Sequence, residues 1–113
     1  MDEFESLAQI TKALSDPTRL KLLQLLSNTP EEKLHKHCEN APDGPLFLCV
    51  NAMTSYLNVT QSAVSQHLRT LRQAGLVRSE RRGSFVHYTL DLEGIEKYKA
   101  VLVNVLGDPF IVR

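Results

Sequence analysis

Val59 to Asp91 reads VTQSAVSQHLRTLRQAGLVRSERRGSFVHYTLD, and two periodicities meet in it. In the first half the apolar residues Val64, Leu68 and Leu71 fall on one face of a helix, with Ser62, Ser65, Gln66 and Arg69 on the other. Thr60 stands where an N-cap belongs, because its hydroxyl can accept a backbone N–H of the first turn. Gly75 stands where the helix should end, because glycine takes the left-handed backbone that closes a helix. Beyond it, Leu76 to Arg81 and Phe85 to Leu90 read as two strands joined through Arg82-Gly83-Ser84. The stretch predicts a short polar-faced helix followed at once by a basic β-hairpin.

The charge follows the same boundaries. The chain has 13 basic and 13 acidic side chains and no formal net charge. Residues 1–58 carry five basic and eight acidic groups, a net of −3. Residues 59–90 carry Arg69, Arg72, Arg78, Arg81 and Arg82 against Glu80 alone, a net of +4. Residues 91–113 return −1. Attraction to a polyanion depends on local charge, so a neutral chain with one cationic face can still hold one. All five cations of that stretch are arginines, whose planar fork offers paired donors to phosphates or base edges.

The rest of the chain builds a support. Phe4, Leu7, Ala8, Thr11 and Leu14 share a helical face and predict a first helix over about Asp2 to Leu14. Ser15-Asp16-Pro17 reads as a stop and restart, with a capping side chain followed by a proline that tolerates the first turn. The next helix, Thr18 to Leu26, holds Leu20, Leu22, Leu23, Leu25 and Leu26 and is expected at the centre of the core. Ser27 to Pro45 is polar and holds Pro30, Pro42, Gly44 and Pro45, which reads as an inserted loop with one charged turn at Glu31 to Lys36. Helix resumes over Leu46 to Leu57, with Leu48, Ala52, Met53 and Leu57 as core contacts, and Asn58-Val59 is the turn into the arginine-bearing stretch. A last helix, about Leu92 to Leu106, carries the apolar stripe Ile95, Tyr98, Leu102 and Val105, and Pro109 follows its end. The whole, residues 1–113, is read as one mostly helical α+β domain. No apolar run reaches membrane-spanning length and the start MDEFESL does not read as a signal peptide, so a cytoplasmic location is expected.

The polar helix face has the chemistry of a duplex reader. Gln61, Ser62, Ser65 and Gln66 are short amides and hydroxyls that can pair with base edges without crowding a major groove. The N–H groups at the helix start, with the Thr60 hydroxyl, suit phosphates. His67, Arg69 and Arg72 follow at positions suited to the backbone. Arg81 and Arg82, with Ser84 beside the glycine turn, sit at the hairpin tip, where they reach a neighbouring minor groove or backbone. Helix and hairpin together predict a winged helix-turn-helix that binds double-stranded DNA. The plainer reading, an amphipathic helix with a wet face, explains the helix and leaves the arginine-tipped hairpin unexplained.

With these motifs in place, the sequence resembles the ArsR/SmtB family of bacterial winged-helix repressors over about Ile10 to Asp91. Ala13-Leu14-Ser15-Asp16-Pro17-Thr18-Arg19-Leu20 is similar to the family's opening signature. Thr60 to Leu68 followed by Leu71-Arg72-Gln73-Ala74-Gly75-Leu76-Val77 resembles its recognition helix, and Arg81-Arg82-Gly83 with Val86-His87-Tyr88 its wing. The resemblance implies about five helices plus a two-stranded wing, and a homodimer joined through the first and last helices. Their stripes here are Phe4/Leu7/Leu14 and Ile95/Tyr98/Leu102/Val105. It also implies a pseudo-palindromic operator, and repression that an effector relieves. It implies no enzymatic activity.

The effector is sought at the cysteines. Metal- and arsenic-responsive members carry Cys-Val-Cys at the position of Cys49-Val50-Asn51, so this chain keeps the first thiol and replaces the second with Asn51. Cys38, His35 and His37 in the insertion supply other donors. With Cys49 they make a Cys2His2 set suited to zinc or another thiophilic ion, although the spacing is not that of a zinc finger. Alternatively Cys38 and Cys49 respond as thiols, forming a disulfide or polysulfide bridge. In the third reading Cys49 is a small buried hydrophobe and Cys38 an incidental loop thiol. The family's other sensor site requires a histidine on the last helix, and residues 92–113 have none. Two other functions compete with DNA binding. A winged helix can dock a protein partner instead of DNA, and a Cys/His hydrolase would need an orienting base and an oxyanion scaffold that the polar insertion does not offer.

Overall fold

The first helix, α1 (Glu3–Ala13), starts from the Asp2 carboxylate, which accepts the Glu5 N–H at 2.7 Å. Glu3 and Glu5 in its first turn and Lys12 in its last suit the helix dipole. In this computed structural model the chain is described over residues 2–28, 53–54, 56–82 and 85–107. Helix α2 (Pro17–Asn28) begins with proline at its first position, as the sequence predicts, and extends beyond the expected Leu26. Residues 53–54 and 56–57 are helical, so the end of the Leu46–Leu57 helix is seen and its beginning lies outside the described residues. Asn58, with φ of 56°, makes the left-handed turn after it, and the Val59 N–H returns to the Thr54 carbonyl at 3.3 Å.

Helix α3 (Gln61–Gln73) is the polar-faced helix of the sequence. Thr60 caps it, accepting the Ala63 N–H at 3.1 Å. Gly75 closes it in the left-handed region, φ 79°. Strand β1 (Val77–Arg82) pairs antiparallel with β2 (Phe85–Leu90), in register from Val77↔Leu90 to Arg82↔Phe85. Arg82 is therefore a strand residue rather than part of the turn, and only residues 83–84 separate the strands. Leu76, expected to open the strand, instead ties the end of α3 to the segment beyond the hairpin. Its N–H reaches the Leu71 carbonyl at 3.0 Å and its carbonyl accepts the Asp91 N–H at 2.9 Å. Asp91 then caps the last helix, α4 (Leu92–Leu106), accepting the Gly94 N–H at 3.0 Å. Among the described residues this makes four complete helices and one two-stranded sheet, and the fifth expected helix, Leu46–Leu57, is described only at its end.

The core lies between α2, α3 and the root of the hairpin. Leu22, Leu26, Met53, Val64, Leu68, Leu71, Leu76 and Val77 are buried in one cluster, with Ile10, Leu14, Tyr88, Leu90, Ile95 and Tyr98 packed around it. The leucine-rich α2 is not buried all round. Leu22 and Leu26 are inside, Leu23 and Leu25 half-buried, and Leu20 is 50% exposed. Leucine content does not reveal which side of a helix its neighbours cover. The terminal helices meet along one side, where Thr11 Oγ1 and the Tyr98 hydroxyl lie 2.8 Å apart, a hydrogen-bond distance. None of the described helices is long and apolar enough to cross a membrane.

Candidate nucleic-acid interface

The two faces of α3 separate as its periodicity requires. Val64, Leu68 and Leu71 are fully buried, while Gln61, Ser62, Ser65, Gln66, Arg69 and Arg72 are exposed. Amphipathic spacing fixes the helix against the core and so presents the amides and hydroxyls outward together. Thr60 is exposed too, but its side-chain oxygen is engaged in the cap.

Two of the expected contact residues are held by other protein groups. The Nδ1 atom of half-buried His67 accepts a hydrogen bond from Arg19 Nε at 3.1 Å. Arg72 Nη1 donates to Ser79 Oγ at 3.2 Å, a strut from the recognition helix to β1. Arg72 thus spends part of its donor set on a link between helix and hairpin. Arg81 is exposed on β1, while the side chain of Arg82 and all of Ser84 lie outside the described residues. On the same hairpin His87 faces inward, 5% exposed, in keeping with a packing role in the wing strand.

The corner between α1 and α2 supports this surface. Asp16 Oδ1 accepts the N–H of Thr18 at 2.8 Å and of Arg19 at 3.3 Å, and Arg19 Nη1 donates to the Ala13 carbonyl at 3.2 Å. Desolvation pushes the Asp16 carboxyl up, but the Arg19 and Thr18 N–H groups, with the nearby Arg19 charge, outweigh it and hold the group below its ordinary value. At the other end of α3, Gly94 packs on the Gly75 carbonyl so closely that a Cβ at Gly94 would collide with that oxygen. Neither support is marked as such in the sequence. Asp16 is visible as a cap, but the partner of Arg19 is 48 positions away, and no local pattern marks the Gly94 approach.

The candidate sensor residues Cys38, Cys49, His35 and His37 lie outside the described residues. Among the described residues no group of three or more His, Cys, Asp and Glu side chains could hold a metal ion.

A core-anchored helix with a polar outer face, strutted to an arginine-bearing hairpin, defines a winged helix-turn-helix protein. Comparison with known proteins then gives the family. Residues 43–79 match the model of the bacterial regulatory proteins of the arsR family. The chain is 38% identical over 89 residues to the uncharacterized HTH-type transcriptional regulator YbzH of Bacillus subtilis (strain 168), covering 79% of this chain and 87% of that one. It is 34% identical over 82 residues to the arsenical resistance operon repressor of Escherichia coli (strain K12), 73% of this chain and 56% of the repressor. Among solved structures, the winged helix-turn-helix domain (fragment 1–100) of Mb0332 from Mycobacterium bovis superposes with a TM-score of 0.59 at 24% identity, over 96% of this chain and 84% of that one. The chain belongs to the arsR family of regulatory proteins and is a DNA-binding transcriptional regulator.

Proposed function

We propose that the protein is a homodimeric repressor of the cytoplasm that lays α3 in the major groove of a pseudo-palindromic operator. The single observation that carries this is the division of α3 into a fully buried apolar face and an exposed face of Gln61, Ser62, Ser65, Gln66 and Arg69. Gln66 and its neighbours meet base edges, the start of the helix with Thr60 meets a phosphate, and Arg69, Arg81, Arg82 and Ser84 meet the backbone or the adjoining minor groove. Dimerisation is supported by the apolar side chains left exposed on the terminal helices, Phe4, Val103, Val105 and Leu106. It is supported also by the Mycobacterium bovis domain, which is described as homodimeric. A two-fold protein reads a two-fold site.

Release from DNA is assigned to Cys38 and Cys49, either as thiols that oxidise or persulfidate, or with His35 and His37 as ligands of zinc or another thiophilic ion. Two thiols and two imidazoles form a donor set that suits such an ion. The likeness to the arsenical resistance operon repressor of Escherichia coli supports the repressor reading.

Titrating wild type and variants onto an enriched duplex across a salt series tests the DNA reading. Arg81→Ala lowers affinity for all duplexes and reduces the salt slope by about one. Gln66→Ala instead costs about 1–3 kcal/mol at one base pair and relaxes the preference there. Wild-type affinity from Arg81→Ala at moderate salt would remove the wing from the interface. Native mass spectrometry before and after reductant, followed by the same titration, separates a bound metal from a lost pair of hydrogens per chain.

A further inference from the structure

We propose that Arg19 is a positioning residue for DNA recognition: it locks the α1–α2 corner to the recognition helix through His67, and sets the angle of α3 on a duplex without touching DNA itself. The proposal rests on the DNA-binding reading and deepens it. One side chain joins three helices. Arg19 belongs to α2, its Nη1 donates to the carbonyl of Ala13, the last residue of α1, and its Nε donates to His67 Nδ1 on α3. Its own N–H is held by Asp16 Oδ1, so the root of the side chain is fixed as well as its tip. A guanidinium is planar and permanently charged, so the two donors leave it at a set angle and cannot adjust independently.

His67 stands directly beside Gln66 and two positions before Arg69. A roll of α3 that breaks the Arg19 bond therefore displaces the groove-facing side chains with it. The contact also dictates the state of the ring. A nitrogen that accepts a hydrogen bond carries no proton, so the Arg19 contact is made through an unprotonated Nδ1. A doubly protonated ring has no acceptor to offer Arg19, and two cations would then face each other. The groups acting on this ring are Arg19 from α2 and Asp16 from the preceding corner.

The test begins with a duplex enriched from a random-sequence library by the wild-type protein. Arg19→Gln and His67→Phe each weaken binding to it by about ten-fold, the scale of one hydrogen bond from a charged donor. The double variant binds no more weakly than the weaker single, because each change removes the same strut. Additive losses would overturn the proposal, since they would mean that the two side chains act separately on DNA. A second readout carries an opposite sign. Between about pH 8 and about pH 6, protonation of any histidine adds positive charge and tightens binding. The wild type gains less than His67→Phe over this range if protonation opens the strut, and more if His67 serves as a cation for phosphate, which would overturn the assignment. Should Arg19→Gln fail to fold, as judged by circular dichroism, His67→Phe and its pH profile decide alone. Failure of the wild type to enrich any duplex would instead remove the DNA-binding reading, and the strut with it.

Discussion

The recognition helix α3 and the terminal helix α4 are close in length, 13 and 15 residues, yet use their apolar side chains in opposite ways. In α3 the apolar residues Val64, Leu68 and Leu71 disappear entirely into the core. In α4 no residue is buried to that degree. Ile95 and Tyr98 only pack against the cluster, and Leu92, Val103, Val105 and Leu106 lie exposed. Burial of a leucine is favourable by about 1.5–3 kcal/mol, so exposed apolar side chains grouped on one helix mark a surface not yet covered. The single chain completes the packing of α3, while α4 keeps an exposed apolar end that the proposed dimer would cover. On the proposed function, recognition rests on packing within one chain, and assembly on packing between two.

The largest expected effect is on the finished side. Leu68→Ala leaves a cavity under α3 and costs about 2–5 kcal/mol of stability, against well under 1 kcal/mol for Val103→Ala on the exposed side of α4. Urea denaturation of both variants at one protein concentration checks the contrast. Equal losses would show that α4 is as tightly packed in the single chain as α3.

The dimer side gives the next effect. Val103→Glu combined with Leu106→Glu places two charges on the exposed end of α4. The variant sediments as a monomer at concentrations where the wild type is dimeric, while its secondary structure by circular dichroism is unchanged. Its affinity for a two-half-site duplex falls to that of a single half-site, because the second contact is no longer tethered. A variant that remains dimeric would move the interface off this end of the helix.

The same contrast explains what could be read from the sequence. Alternation within α3 and within the hairpin is local, so helix, cap, closing glycine and strand pairing are all legible there, and the structure differs by a residue or so at the ends. The stripe on α4 is legible as apolar, but not its division. Ile95 and Tyr98 turn to the core of the same chain, while Val105, 40% exposed, faces away. Spacing gives a helix face and does not say whether its own chain or a partner covers it. Phe4, 67% exposed, and Leu14, packed on the core, divide the α1 stripe in the same way. The contacts that join distant segments leave no pattern at all. Arg19 with His67, Arg72 with Ser79, and Gly94 against Gly75 arise from how the helices cross. The family signature around Asp16 and Arg19 marks the corner without saying what it holds.

The smallest effect compares the two helix starts. Thr60 caps α3 by accepting one N–H, and Asp91 caps α4 in the same way. Thr60→Ala and Asp91→Ala each remove one capping bond and cost about 1 kcal/mol of stability. Their consequences for DNA differ. On the proposed function the start of α3 and the Thr60 hydroxyl meet a phosphate, so Thr60→Ala weakens duplex binding by roughly a further three-fold to ten-fold. Asp91→Ala lowers the melting temperature by a similar amount and leaves duplex affinity near that of the wild type, at concentrations where both are folded dimers. If Asp91→Ala impairs binding as strongly, the two helices are not independent in function. The bond from the Asp91 N–H to the Leu76 carbonyl at 2.9 Å would then be the route by which α4 acts on the recognition helix.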